Sequence, residues 1–232
     1  MHIGIIPDGN RRCARRLMQN VCLGYDSGTN KLKDVFEWSI GRGVKVLTFY
    51  AMSIENMDKR PKRELNFLFR IARRELMDVI DNNKNFTHAK KVKLRFFGRL
   101  HLLPHDMQDI MSKAAAATKE YSKYSINFAI AYGGRQEIVD ACISAAMKVR
   151  MGMMEPSGIT EDFFKNSLCT NGLPMPDLII RTGGEKRLSN FLLFQSAYSE
   201  LAFTDTFWPD ITKKEFSSII DDYEKRDRRF GK

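Results

Sequence analysis

The stretch His2-Ile3-Gly4-Ile5-Ile6-Pro7-Asp8-Gly9-Asn10-Arg11-Arg12 sets the terms on which the rest of the chain is read. From Ile3 to Ile6 it is apolar or glycine without a break. A strand exposed on one face alternates, whereas one that stays apolar is covered on both. The run stops at Pro7 and passes through Asp8-Gly9-Asn10, a turn composition, into a helical stretch. Gly9 lets the backbone turn tightly, and the amides that follow sit at a helix N-terminus, where anions bind. Asp8 has the chemistry to hold a divalent cation over a phosphate group, and the neighbouring arginines match phosphate oxygens. Taken alone, such a turn is common and establishes no activity.

Working outward, five further β-rich runs follow, most of them apolar nearly throughout: Val44–Ala51, Val92–Phe97, Ile126–Ala131, Leu178–Arg181 and Leu201–Phe207. They alternate with helical stretches, which predicts right-handed crossovers and a parallel arrangement. The expected fold is α/β, a single domain over residues 1–232 with a six-stranded, mainly parallel sheet flanked by helices. From Lys62 to Asp81, Leu65, Leu68, Phe69, Ala72, Leu76 and Val79 recur at helical spacing. Packing on the sheet accounts for that stripe; the wall of a lipid tunnel is the sharper reading. A last helix, from Lys213 to about Arg229, is strongly charged and reads as a solvated face, Asp221-Asp222 included.

Composition bounds the partners. With 232 residues, 43% hydrophobic and 11% aromatic, the chain carries enough apolar surface for one sizeable core, and disorder is excluded. No apolar run approaches the ~20 residues of a membrane-spanning helix. Met1-His2-Ile3-Gly4-Ile5-Ile6 lacks the basic-then-apolar order of a secretory signal, so a cytoplasmic location is expected. Cys13, Cys22, Cys142 and Cys169 form no CxxC pair and read as reduced thiols. His101 and His105 have metal-like spacing, but Pro104 lies between them, and a solvated turn is the plainer account. A net charge of +10 points to an anionic partner: nucleic acid, a membrane surface or a phosphorylated small molecule.

The positions of the arginines narrow that choice. In open α/β sheets ligands bind beyond the carboxyl ends of the strands. Here those ends carry Asp8 through Arg12, then Met52-Ser53-Ile54-Glu55-Asn56, Tyr132-Gly133-Gly134-Arg135, and Arg181-Thr182-Gly183-Gly184-Glu185 with Arg187 and Ser189 beyond; Glu200 lies near the start of the sixth strand. One arginine is a surface residue; several at one sheet edge are a phosphate site. The convergence implies room for two phosphorylated groups and a metal. There is no G-x-x-x-x-G-K-S/T loop and no G-x-G-x-x-G opening a helix, so nucleoside triphosphatase and dinucleotide chemistry lack their cradle. A nucleic-acid module would present its basic residues as a stripe on an exposed face, which this constellation is not.

These residues resemble the cis-prenyltransferase (undecaprenyl diphosphate synthase) family along nearly the whole chain. The matching stretches are His2 through Asn10, Ser53 through Asn56, Ala131 through Arg135, Pro176 through Glu185, Arg187 through Leu193 and Ala197 through Trp208. The Pro7 and Arg11 form of the first motif looks like archaeal members. The resemblance implies a homodimer that joins isopentenyl diphosphate to an allylic prenyl diphosphate with Mg²⁺, above an apolar tunnel for the growing chain. It implies that Asp8 carries the metal and helps the allylic diphosphate leave, with Glu200 completing the metal site. Gly9, Asn10, Arg11 and Arg12 would cradle the allylic diphosphate, and Arg181, Arg187 and Ser189 that of isopentenyl diphosphate. Cys13, Tyr25, Ile54, Glu55, Met57, Arg60 and Leu188 fall at matching substrate-binding positions. Asn56, with Ser53, matches positions that place or remove the departing proton; an amide is a poor base, so positioning is at least as good a role for Asn56. Arg229 and Gly231 would reach the partner subunit. The family's trans counterparts use paired aspartate-rich motifs, and Asp221-Asp222 is a single unmatched instance.

Departures from the family pattern cluster in the allylic half. Cys13 replaces a tryptophan, Val21 and Tyr25 replace an arginine and a histidine, and Met57 replaces an aromatic, with one extra residue before Arg60. Two accounts remain open: drift, with Arg11, Arg15 or Arg16 supplying the charge, or an altered allylic site with a different primer, a shorter product or non-head-to-tail joining. A catalytically silent subunit of a two-component synthase is the non-enzyme alternative; Asp8, Asn10, Arg12 and Glu200 argue for activity. Product length stays open: small Ala51 leaves room in a tunnel but decides little. A long product would bring the protein transiently to a membrane surface.

Overall fold

The computed structural model describes residues 1–17 and 21–226, and of residues 21–23 the backbone alone. In chain order the elements are β1 (His2–Ile6), α1 (Asn10–Arg16), α2 (Val21–Gly41), β2 (Val46–Ser53), α3 (Ile54–Lys59), α4 (Lys62–Asp81), α5 (Phe86–Ala89), β3 (Val92–Phe97), α6 (His105–Ala117), β4 (Tyr124–Tyr132), α7 (Gly134–Arg150), α8 (Glu161–Ser167), β5 (Leu178–Arg181), β6 (Glu200–Phe203) and α9 (Lys213–Lys225). The six strands make one sheet in the order β3-β4-β2-β1-β5-β6, and every pairing is parallel.

β1 is buried along its whole length, as its unbroken apolar run predicts. Successive side chains point to opposite faces. Ile3 and Ile5 join the larger core, with Phe36, Leu76, Val79, Met107 and Phe216 from the covering helices. Ile6 joins a smaller core on the other face, with Tyr50, Tyr132, Phe191 and Leu192. Gly4 also faces that side, where a Cβ would come within 3.1 Å of the Phe191 ring.

Register decides what reaches the carboxyl edge. Ile6 pairs with Arg181 across β1 and β5, so Asp8 emerges beside the end of β5. β2 and β4 end together at Ser53 and Tyr132. The connection from β5 to β6 contains no helix although the strands are parallel, a length of irregular chain that compact domains keep for function.

One sequence expectation is corrected. β6 runs over Glu200–Phe203 rather than Leu201–Phe207. The polar run Thr204-Asp205-Thr206 leaves the sheet, and Phe207 packs against Gly9, where a Cβ would meet its ring at 2.7 Å. Glu200 pairs with Leu178 at the amino end of β5, whereas Arg181 pairs with Phe203 at the carboxyl end. Three residues of strand, about 10 Å, therefore separate Glu200 from the edge that carries Asp8.

Candidate active site

Asp8 lies just past β1, on a turn that Gly9 closes in the left-handed region at φ 104°. Its carbonyl accepts from the Thr182 hydroxyl at 2.8 Å and from the Trp208 amide at 2.9 Å, so the backbone is pinned from two sides. Its carboxylate accepts from the Gly9 amide at 2.6 Å and from Arg181 Nη2 at 2.9 Å, and Arg12 lies 3.1 Å away. Burial alone would raise the Asp8 carboxyl. The Arg181 hydrogen bond and the charges of Arg12 and Arg181 outweigh it and hold the group below the usual carboxylate range.

Arg181 is buried, with 6% of its side chain exposed. Its Nη1 donates to the Arg187 carbonyl and to Ser189 Oγ, both at 2.6 Å, while its buried Nε has no acceptor among the described residues. Gly183 makes this approach possible: a Cβ there would stand 2.8 Å from Arg12 and 3.1 Å from the Asp8 backbone.

The remaining arginines are held at the same edge. Arg12 and Arg16 both lie 5.4 Å from the centre of the Phe207 ring, and Arg16 pairs with Asp210 at 2.8 Å. Arg11 lies 3.5 Å from Glu64, Arg187 pairs with Glu185 at 2.5 Å, and Arg60 stands 5.3 Å over the Tyr25 ring. The Tyr25 hydroxyl donates to Glu64 at 2.9 Å, and burial, with Glu64 beside it, pushes its pKa up to about 12.

A cavity of about 990 Å³ opens among these groups. Among the described residues, Arg11, Arg12, Arg15, Arg60, Arg135, Arg181, Arg187 and Lys33 line it against Asp8, Glu55 and Glu75. That balance suits an anion carrying several charges. Deeper in, the walls are hydrocarbon: Leu68, Ile71, Ala72, Leu76 and Val79 of α4 face Phe49, Ile126, Phe128 and Ile130 of the sheet. The stripe on α4 thus packs on the sheet and walls a cavity at once.

At the end of β2 the Ser53 hydroxyl caps α3 by accepting from the Asn56 amide at 3.1 Å. This cap sets Asn56 in the first turn of α3, on the cavity wall. Glu55 accepts from Asn190 Nδ2 at 2.9 Å. Burial opposes its ionisation, but its own backbone amide, Asn190 and Ser53 hold its carboxyl below the usual range.

Asp8, Gly9, Asn10, Arg11, Arg12, Tyr25, Ser53, Glu55, Asn56, Arg60, Arg181, Arg187 and Ser189 therefore line one cavity. Asn10 does so with its amide turned away: Nδ2 donates to the Pro7 carbonyl at 3.0 Å, and Oδ1 is buried without a partner, a Cβ on Gly28 coming within 2.2 Å of it. Cys13, Ile54, Met57 and Leu188 are not on the cavity wall. Cys13 is buried beneath α1 with its thiol 3.7 Å from Asp210, Met57 packs against the larger core and Leu188 against the smaller. Glu200 pairs with Arg226 at 2.5 Å and does not join Asp8. Arg229 and Gly231, and the side chain of Val21, lie outside the described residues. Arg15 and Arg135, which the sequence kept among the charges at this edge without a substrate role, also line the cavity, as do Tyr50 and Asn190. The last two stood beside motif residues, and only the backbone path reveals their direction.

Residues 6–231 match a family model described as "Putative undecaprenyl diphosphate synthase". A tritrans,polycis-undecaprenyl-diphosphate synthase (geranylgeranyl-diphosphate specific) of Methanopyrus kandleri is 47% identical over 100% of this chain and 84% of its own length. A protein of the same description from Methanocaldococcus jannaschii is 42% identical over 100% of this chain and 82% of its own. Among solved structures, lavandulyl diphosphate synthase from Lavandula x intermedia, in complex with dimethylallyl diphosphate, superposes with a TM-score of 0.92 at 34% identity, covering 100% of this chain and 98% of that one. A probable undecaprenyl diphosphate synthase from Campylobacter jejuni gives a TM-score of 0.78 at 32% identity over the same shares. With its motifs gathered on one arginine-lined cavity and its full length matched, the chain belongs to the undecaprenyl diphosphate synthase family of cis-prenyltransferases.

Proposed function

We propose that the chain condenses isopentenyl diphosphate with an allylic prenyl diphosphate, extending it by cis units and releasing diphosphate. The observation that carries this reading is one continuous cavity that joins a ring of arginines around an ionised aspartate to a hydrocarbon-walled body. Ionisation of an allylic diphosphate separates a highly charged leaving group from an apolar carbocation. The mouth of the cavity suits the first and its body shields the second from water.

Arg11, Arg12 and Arg60 serve the allylic diphosphate in this reading, and Gly9 shapes the turn beneath it. Arg181, Arg187 and Ser189 hold isopentenyl diphosphate. Its terminal alkene carbon bonds to the allylic carbon as the C–O bond to diphosphate breaks, which leaves a cation on its methyl-bearing carbon, and a proton then leaves the adjacent methylene on the diphosphate side to form the new double bond. Asn56, fixed by the Ser53 cap, places the group that takes that proton. Asp8 fits a Mg²⁺ site: its carboxylate is ionised, 30% exposed and on the cavity wall, and Mg²⁺ is commonly held by one or two carboxylates together with substrate phosphates. An ion held there would supply positive charge to the departing diphosphate.

We also propose a homodimer and a cytoplasmic protein that meets a membrane surface when its product is long. No helix among the described residues is long and apolar enough to cross a membrane. Val139, Ile143, Met147 and Met151 on α7 and its end are 43–61% exposed at four-residue spacing, an apolar stripe suited to a second copy.

The test is incubation with labelled isopentenyl diphosphate, Mg²⁺ and, separately, dimethylallyl, geranyl, farnesyl and geranylgeranyl diphosphates. The archaeal relatives favour the geranylgeranyl primer and a long cis product. A second reading rests on the lavandulyl relative together with Tyr25 on the cavity wall: two dimethylallyl diphosphates joined into a branched diphosphate without isopentenyl diphosphate. Linkage analysis, with a parallel reaction on labelled dimethylallyl diphosphate alone, separates the two; no incorporation of isopentenyl diphosphate with any primer overturns the first, and no product from dimethylallyl diphosphate alone overturns the second.

A further inference from the structure

Three loops from three strand ends meet at Asn190. Its side-chain Nδ2 donates to Glu55 Oε1 at 2.9 Å and to Gln136 Oε1 at 3.0 Å, and its Oδ1 accepts from the Arg135 amide at 2.8 Å. Its backbone carbonyl accepts from the Gly134 amide at 2.8 Å. One residue of the β5–β6 loop is thereby tied to the β2–α3 turn and to the start of α7.

The loop needs such a tie. Ser189, Asn190 and Leu192 sit at φ 51°, 71° and 44°, a left-handed region that side chains other than Asn, Asp and Gly seldom occupy. A conformation of this kind persists only where its surroundings fix it. From below, Phe191 and Leu192 are fully buried, Phe191 stacks on Tyr50 at 4.8 Å, and the Tyr50 hydroxyl donates to the Ser189 carbonyl at 3.2 Å. From above, the tie is Asn190. Ser189 Oγ accepts from Arg181, and Glu55 adjoins Asn56, so the groups on the two sides of Asn190 belong to different parts of the reaction.

We propose that Asn190 is a positioning residue that couples the isopentenyl-diphosphate groups, Arg181 and Ser189, to the α3 turn that carries Asn56. The inference rests on the functions proposed for those residues. Asn190 keeps the Ser189 hydroxyl against Arg181 and holds the α3 turn, through Glu55, at a fixed separation from it. Its effect is therefore confined to isopentenyl diphosphate and to the step that follows its binding.

The variant that tests this is Asn190→Asp. Aspartate tolerates the left-handed backbone and still accepts from the Arg135 amide, but it cannot donate to Glu55 or Gln136 and sets a carboxylate against Glu55. Displacing a reacting group by an ångström costs roughly a hundredfold, so kcat/KM for isopentenyl diphosphate is expected to fall by about that factor, with the allylic KM within about twofold. In a Glu55→Gln background, where the side chain at 55 can donate to the introduced carboxylate, the same substitution is expected to cost tenfold less. Equal losses in the two backgrounds, an unchanged KM and kcat for isopentenyl diphosphate, or a loss confined to melting temperature overturns the proposal. Equilibrium binding of isopentenyl diphosphate alone gives the same contrast without turnover. A wild-type protein that binds this diphosphate, with affinity lost in Asn190→Asp, upholds the positioning role even where the condensation itself is not observed.

Discussion

Asp8 and Arg181 depend on each other. The aspartate is ionised because Arg181 and Arg12 face it, and Arg181 tolerates burial because Asp8, Ser189 and the Arg187 carbonyl accept its hydrogen bonds. Asp8→Asn keeps the shape of the side chain and removes the charge a cation needs. Isopentenyl incorporation is expected to fall at least about a hundredfold, with a cooperative melting transition retained, as assays at saturating Mg²⁺ will measure. His2 offers a different residue-scale test, on stability. Burial lowers its pKa to about 4, against the opposing influence of the Pro174 carbonyl and Asp177. Its Nδ1 lies 2.7 Å from the Pro174 carbonyl, so that nitrogen carries the proton, and Nε2 faces the Thr48 hydroxyl at 2.8 Å. A folded-state pKa below the unfolded value near 6.5 means the neutral ring stabilises the fold. That contribution is complete above pH 6.5 and drains away as pH falls toward 4, at most about 3 kcal/mol. Urea midpoints between pH 7 and 4 are expected to fall more steeply in the wild type than in His2→Gln. Residues of this kind were only half legible in the sequence. Asp8, Arg181 and Ser189 stood in recognisable motifs, but adjacency says nothing of direction. Cys13, Ile54, Met57 and Leu188 follow motif residues and still turn away from the cavity, whereas Asn190 and Arg135 turn into it.

At the scale of elements, α4 was read with its boundaries, Lys62–Asp81, because its apolar stripe recurs without a break. What periodicity cannot say is whether the stripe meets a neighbour or a void, and here it meets both. Ala72 on α4 and Ala51 on β2 line the cavity with small side chains. Replacing either by leucine is expected to fill that volume and to shorten the product by one or more isoprene units, with the first condensation retained; chromatography of dephosphorylated products measures it. Unchanged product length in both variants would mean that the chain grows along another wall. The strands were legible because burial on both faces leaves an unbroken apolar run. The end of β6 was not, because Phe207, beyond Thr204-Asp205-Thr206, reads as one more strand residue although it covers Gly9 and lies beside Arg12 and Arg16.

At the scale of the whole molecule, alternation of strands and helices announced a parallel sheet but not the strand order. That order places β5 beside β1, and with it Arg181 beside Asp8. The same register sets Glu200 at the opposite end of β6, about 10 Å of strand from the edge that carries Asp8. What the sheet leaves uncovered, among the described residues, is the outer face of α7, where Val139 and Ile143 are 53% and 54% exposed. A two-fold interface uses each residue twice, so a change at its centre is felt twice. Full burial of an isoleucine is worth about 1.5–3 kcal/mol, and a glutamate in its place would bring two unpaired carboxylates into apolar surroundings. Ile143→Glu is therefore expected to weaken self-association at least about a hundredfold and to yield monomers at micromolar concentration in sedimentation velocity. Val139→Glu should behave alike, because the two lie one helical turn apart on the same face. Dimers that survive both substitutions with unchanged affinity would place the second copy on another surface and leave the α7 stripe for a different partner.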